Sequence, residues 1–483
     1  MASKRSRARR LTFIIFTSIF LSITYFFIYQ PRVLSQRQSS AIPYRDDSIT
    51  CPKSSLLDDV FVVLRTGATE TQEKIPVHFK TILACVPDFV IYSDMDEVVD
   101  GHQVYDVLNE MNATVQSMAP EFELYRHLKT RGRDGLDYQT SNGGDPVVTL
   151  DSSGLKLDKW KFLPMIDKAV QQRPKASWYV FIEADTYMVW TNMLEYLSRL
   201  DHKHPYYIGR HMYHKEVLYG HGGSGFVLSR PAAQKVSKYW KRHETELDLE
   251  TLKGWVGDFM LGKVMKKLDI PLLWGYPHFQ GDSLTAIDWA IEKLERQTWC
   301  YAAMTFHHMS PSDFTMLWQF EQLWHQRNPA KSALRFRDIF HNLIRHRLRD
   351  ERDEWDNIST GHTYSKEALD RMSEDRKDSL TLMEQNAHHS LEMCKATCHA
   401  KPDCIQFSFQ PGICSLSDQL RLGHPAESQC VEYSNAAGKC IKAVPVEKDT
   451  TVRSGWMMDR VPRYAEKLDK LCDNPEGNDW ILA

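Results

Sequence analysis

The chain has 483 residues, a formal net charge of −3 and ten cysteines. A balance this close to neutral gives no footing for nucleic-acid binding, and the length leaves room for two or three domains. Leu11 to Tyr29 carries no charged residue, and its length is near the ~20 residues a bilayer crossing needs. Lys4, Arg5, Arg7, Arg9 and Arg10 precede it, and such a positive flank stays cytoplasmic. This predicts a tail over 1–10, an uncleaved signal anchor over 11–29 and a lumenal remainder. A cleaved signal peptide is the alternative, but its apolar core would be shorter and a small-residue cleavage site would follow. Residues 30–57 are polar, with scattered Arg, Ser and Pro, and read as a stem.

A first domain is expected over 58–330. Val60 to Leu64 reads as a strand, followed by a turn at Arg65-Thr-Gly67. Thr71 to Cys85 fits a helix only in part, because Pro76 interrupts it. Asp88 to Tyr92 is the next strand, closed by Ser93-Asp-Met-Asp96. Leu155 to Val170 has helical spacing, Trp178 to Ile182 is the third clear strand, and Tyr206 to Gly209 is another. Strands alternating with helices predict an α/β fold with a mostly parallel sheet flanked by helices.

Four patches carry chemistry. The strand at Trp178 ends in Glu183-Ala-Asp185. Carboxylates at the end of a buried strand need water or a cation, and ligands in α/β sheets sit beyond the strands' carboxyl ends. A solvated turn opening a helix over Thr191–Leu200 is the bland alternative. Gly220-His-Gly-Gly-Ser-Gly-Phe226 matches neither a P-loop nor a dinucleotide fingerprint, and reads as a loop that lets backbone approach a ligand. Asp258 opens an apolar helical pattern (Phe259, Leu261, Val264, Met265, Leu268) and serves either as a site residue or as a helix-capping acid. Phe306-His-His-Met309 supplies imidazole that can complete a carboxylate metal site or be structural.

In this order the patches resemble glycosyltransferase family 31, the fringe and core 1 β-1,3-galactosyltransferase group. The matching segments are Glu183-Ala-Asp-Thr-Tyr187, Gly222-Gly-Ser-Gly-Phe226, Gly257-Asp-Phe-Met-Leu-Gly262 and Phe306-His307, with Asp59–Thr66, Phe89–Asp94 and Trp160-Lys-Phe162 in support. The resemblance implies a GT-A-type fold and an inverting β-1,3-glycosyltransferase that moves a sugar, galactose favoured, from a UDP-sugar to a glycan or glycoprotein. It implies Asp185 and His307 as ligands of a divalent ion, manganese, with Glu183 in support and Asp258 as base. Arg65, Thr66, Asp94, Lys161, Gly222, Gly223, Ser224 and Gly225 are then the donor-site residues. Together with the anchor it places the protein in the Golgi membrane, single-pass, with the catalytic domain lumenal. Three positions depart from the pattern: Glu183 replaces the first acid, Ala184 the middle one, and Gly257 the acid before Asp258. A glycan-binding protein on an inactive transferase fold is therefore the alternative.

Beyond this domain, Phe336, Ile339, Phe340, Leu343, Ile344 and Leu348 form a stripe in Ser332 to Arg349, expected to pack on the catalytic domain. Arg349 to Asp378 reads as a solvated charged linker, so that 331–386 is a connector. Six cysteines fall between Cys394 and Cys440, which argues for disulfides among Cys394, Cys398, Cys404, Cys414, Cys430 and Cys440 and leaves connectivity open. The spacing over 387–441 resembles the PAN/apple module, a small sheet with one helix stapled to it, here Leu391 to Ala400. Residues 442–483 are expected to pack back. Asn112-Ala-Thr114 and Asn357-Ile-Ser359 are N-glycosylation sequons.

Overall fold

The computed structural model describes residues 49–137, 150–254, 256–328, 333–426, 428–433, 440–445, 452–472 and 479–482. The expected anchor over 11–29 and the stem up to residue 48 lie outside the described residues. Among those described, no helix is long and apolar enough to cross a membrane.

The framework is an eight-stranded sheet. Its strands are β1 (Val60–Arg65), β2 (Phe89–Ser93), β3 (Glu97–Val99), β4 (His102–Asp106), β5 (Trp178–Glu183), β6 (Tyr207–Gly209), β9 (Phe226–Ser229) and β10 (Leu272–Trp274), while β7 (His211–His214) and β8 (Val217–Gly220) form a separate hairpin. The order across the sheet is β10-β6-β9-β5-β1-β2-β4-β3. The pairs β1–β2, β1–β5, β2–β4 and β6–β10 are parallel, but β9 runs antiparallel between β5 and β6, and β3 antiparallel to β4. The sheet is thus mixed rather than mostly parallel. The sequence reading missed β9, which is only four residues long and follows the glycine loop directly. Two antiparallel steps restore the direction, so the carboxyl ends of β1, β2, β5, β6 and β10 share one edge.

Both faces of this sheet are covered. Val60, Val62 and Leu64 of β1 enter one core, Phe61 and Val63 the other, and β5 splits in the same way between Val180 and Phe181. That period of two is what a strand buried on both faces requires. One face is closed by α1 (Leu150–Gln172), α3 (Arg230–Lys253) and α4 (Gly257–Lys267). The other is closed by α2 (Trp190–Ser198), α5 (Pro311–Arg327) and the 336–348 stripe, whose six apolar residues are all buried there as expected. The stripe is not one long helix: Phe336–Ile339 is α-helical, Phe340–Ile344 a π turn and Arg345–Arg347 a 3₁₀ turn.

The C-terminal part builds a second, four-stranded antiparallel sheet from β11 (His362–Ser365), β12 (Gln406–Gln410), β13 (Ile413–Ser417) and β14 (Arg453–Trp456), in the order β11-β13-β12-β14. Residues 349–378 are therefore no plain linker: they contribute β11 and two short surface helices. The small sheet extends past 387–441 on both sides. Helix α6 (Leu391–Ala400) is stapled to it by Cys394–Cys414, and Cys398–Cys404 closes its exit. The side chains of Cys430 and Cys440 lie outside the described residues. The tail does pack back: Trp456 and Met457 are buried, and Cys472, in the turn after α7 (Val461–Lys470), is bonded to Cys300. A fourth disulfide, Cys51–Cys85, ties the start of the domain to the β1–β2 connection.

The two sequons differ. Asn112 is exposed at the cap of the helix Ala113–Met118. Asn357 is fully buried, and its amide donates to the carbonyls of Phe407 and Gly455. A glycan at Asn357 would break both bonds and has no room in this fold, so that expectation is corrected.

Candidate active site

The shared carboxyl edge of the sheet holds the site. β1 ends in Arg65 and β5 in Glu183, and the two are register partners. The Arg65 guanidinium pairs with Glu183, reaches Asp158 at 3.3 Å and lies 4.3 Å over the Phe162 ring. Burial opposes a charged Glu183, yet Arg65 and then His307 outweigh it and hold the carboxyl down at about 2. β2 delivers Asp94, which accepts from the Ala68 amide at 2.8 Å.

Lys161 is fully buried. Its ammonium donates to the Thr66 carbonyl, to Asp94 and to Asp158, at 2.7, 2.9 and 2.7 Å. All three of its hydrogens have acceptors, so it braces the Thr66–Ala68 turn and has none left for a donor molecule. This corrects its placement among the donor contacts. Asp94 and the Thr66 carbonyl belong to the same brace, while Arg65 lies next to the acids.

After β5 the chain turns at once. Ala184 points into the hydrophobic core and Asp185 out of it. Thr186 fastens the turn: its hydroxyl accepts from the Glu183 amide and donates to the Gly223 carbonyl. Asp185 faces two imidazoles that arrive from the segment after Thr305–Phe306. His307 Nε2 lies 3.2 Å from one carboxylate oxygen, and His308 Nδ1 3.7 Å from the other. His307 Nε2 is also 3.7 Å from Glu183, and its buried Nδ1 has no hydrogen-bond partner among the described residues. Burial disfavours the imidazolium, but Asp185 and Glu183 together push His307 up to about 9, while the same contacts hold Asp185 well below the carboxylate range. Lys74 sits 3.2 Å from the same Asp185 oxygen that faces His308.

One atom each from Asp185, His307 and His308 lie within 4.8 Å of one another. A carboxylate and two imidazoles are a donor set suited to a first-row divalent ion. The same carboxylates that favour a positive charge on His307 would favour an ion's charge, so the residues fit such a site. His308 was missed from the sequence, where only its neighbour was singled out. It takes φ +55 and places Nδ1 3.7 Å from Asp185. Lys74 gave no signal at all.

The glycine loop joins this cluster to Asp258. A Cβ on Gly223 would stand 2.2 Å from the His307 ring, and one on Gly222 2.7 Å from Phe162 and 3.2 Å from Glu183. Gly225 has φ +76. The Gly222 amide donates to Asp258 at 2.9 Å, and the other Asp258 oxygen accepts from the Phe259 amide at 2.8 Å. Asp258 stands in the first turn of α4 rather than at its cap, which is Val256. Burial, above all, pushes its carboxyl up to about 6, the two amide donors pulling against it. Ser224 is buried and bonds His221 Nδ1 at 2.7 Å, so its hydroxyl is engaged inside the loop.

Acids, imidazoles, glycine loop and Asp258 thus meet at one edge although they are spread from 183 to 308. The family description that matches this region is Fringe-like, over residues 55–310. The chain belongs to the fringe-like family. No curated protein matches it. The matched span contains all four patches, the whole eight-stranded sheet and both imidazoles. A fringe-like protein is a glycosyltransferase, which takes sugar from a nucleotide donor to a glycan acceptor. The mixed sheet with helices on both faces fits the GT-A-like α/β fold, and the Asp185, His307 and His308 cluster fits its divalent-metal site.

Proposed function

We propose that the protein is an inverting β-1,3-glycosyltransferase that uses a UDP-sugar, galactose favoured, and manganese. The observation that carries this is the glycine loop held between two chemistries, His307 packed against Gly223 and Asp258 bound to the Gly222 amide. Asp185, His307 and His308 would hold the ion, each offering one ligand atom to it. When bound, the ion neutralises the donor's diphosphate as the anomeric bond breaks. Glu183 and Arg65 fix the ring and the acid turn. Asp258 accepts the proton of the acceptor hydroxyl, which attacks the anomeric carbon opposite the departing diphosphate and inverts it. The absence of a middle acid does not argue against this, because the Ala184 side chain is buried in the core.

The residues from 11 to 29 anchor the protein in the Golgi membrane and place this domain in the lumen. The four disulfides among the described residues support an oxidising compartment. The stapled sheet around α6 is a PAN/apple-like module that braces the transferase. A panel of UDP-sugars, each assayed with manganese and with chelator for hydrolysis and transfer, tests the reading. Metal-dependent turnover of one donor is expected. No turnover of any would leave the inactive glycan-binding alternative.

A further inference from the structure

The hairpin β7–β8 leans on α4 so closely that a Cβ on Gly262 would stand 2.4 Å from Tyr219. Between the hairpin tip, one face of α4 and the last turns of α3 lies a cavity of about 550 Å³. That volume is in the range small ligands occupy. Val217, Phe259 and Met260 supply apolar lining, and Lys215, Lys253, Lys263 and Lys266 bring ammonium groups to it. Glu250 pairs with Lys263. Among the described residues, Lys215, Lys253 and Lys266 have no carboxylate partner, and one further carboxylate, Glu216, lines the cavity with them. Lys266 donates to the Glu216 carbonyl at 2.9 Å, which fixes it in place without neutralising it. Phe259, Lys263 and Lys266 recur at i, i+4 and i+7, so they share a face of α4. Phe259 directly follows Asp258. The proposed base and one wall of the cavity are therefore carried by the same helix.

We propose that this cavity is a distal acceptor subsite for an anionic sugar unit. The Phe259 ring takes the apolar face of the sugar, and the three unpaired lysines take its phosphate, sulfate or carboxylate. The acceptor role rests on the transferase reading; the binding does not. The test uses the full chain with a phosphorylated trisaccharide and its neutral parent as probes, titrated calorimetrically at fixed ionic strength. The phosphorylated probe should bind more tightly than the neutral one. The combined change Lys215→Ala, Lys253→Ala and Lys266→Ala alters exposed side chains and should leave melting and acceptor-free donor hydrolysis unchanged. It should weaken the phosphorylated probe by about tenfold, since each exposed pair contributes modestly. Asp258→Asn should keep the binding. Equal affinity for both probes, or no loss in the triple variant, would overturn the subsite. So would full displacement of the probe by anionic lipid vesicles, which marks a general polyanion surface. Retained binding in a protein that hydrolyses no donor would strike the transferase reading alone.

Discussion

Asp185 is the residue on which the proposed ion site turns. Asp185→Asn keeps its shape and removes the charge that faces both imidazoles. Transfer should become undetectable or require at least about tenfold more manganese, read from activity against metal concentration. Asp258 makes a different prediction. Its carboxyl must be ionised to accept a proton, so kcat/KM should fall as pH drops below about 6. Asp258→Asn should lose that limb and at least ~100-fold in transfer, with manganese and nucleotide-sugar binding retained. Full transfer by this variant would reduce Asp258 to a helix residue. The same pKa has a sign in stability. It is raised in the fold, so the group's contribution is present below the unfolded range near roughly 4 and lost as pH climbs through about 6. Melting of Asp258→Asn should accordingly depend less on pH across that window. At this scale the sequence exposed Asp185, Asp258 and His307, because each sits in a patch of distinctive composition. His308 and Lys74 reach the site through backbone geometry and tertiary approach, and Lys161 left it for the same reason.

Among the elements, the glycine loop is the one whose shape can be tested by a single methyl. Gly223→Ala would place Cβ against the His307 ring, which is itself buried. The variant should lose manganese affinity and activity together and lose about 1–3 kcal/mol of stability, as overpacked sites do. Unchanged metal affinity would separate the loop from the ion site. β1, β2 and β5 were readable because long apolar runs leave no other fate for them. β9 was not, since four residues after a glycine loop carry too little periodicity. The charged stretch 349–378 was read by its surface helices, which are solvated, while Tyr364 and Ser365 of β11 are buried. Asn357 carries a sequon in one dimension and a buried amide in three.

For the whole molecule, the C-terminal segments complete the transferase rather than follow it. Trp456, Val461, Leu468 and Trp480 lie in the same core as β1 and β5. Cys300 and Cys472 are 172 residues apart in sequence, and cross-links that close long loops stabilise most. Replacing both by Ala should cost about 3–5 kcal/mol and lower Tm, with the donor site intact in the protein that remains folded. Glycosylation gives a second global check. Asn112→Gln should remove a glycan detected by a mobility shift, and Ser359→Ala should leave the mobility unchanged. A shift from the second variant alone would contradict the burial of Asn357.

The long-range bond also sets an order in time. A ribosome adding about 5–20 residues per second needs roughly 10–30 s to travel from Cys300 to Cys472. When that interval opens the sheet's strands and acids are already synthesised, and His307 and His308 follow within eight residues, yet one face of the core still lacks its last strand and helix until the tail is made. The nascent transferase must wait with an unpaired thiol and an open apolar surface. Chaperone occupancy of this chain should therefore peak late in its synthesis and end with the arrival of its tail.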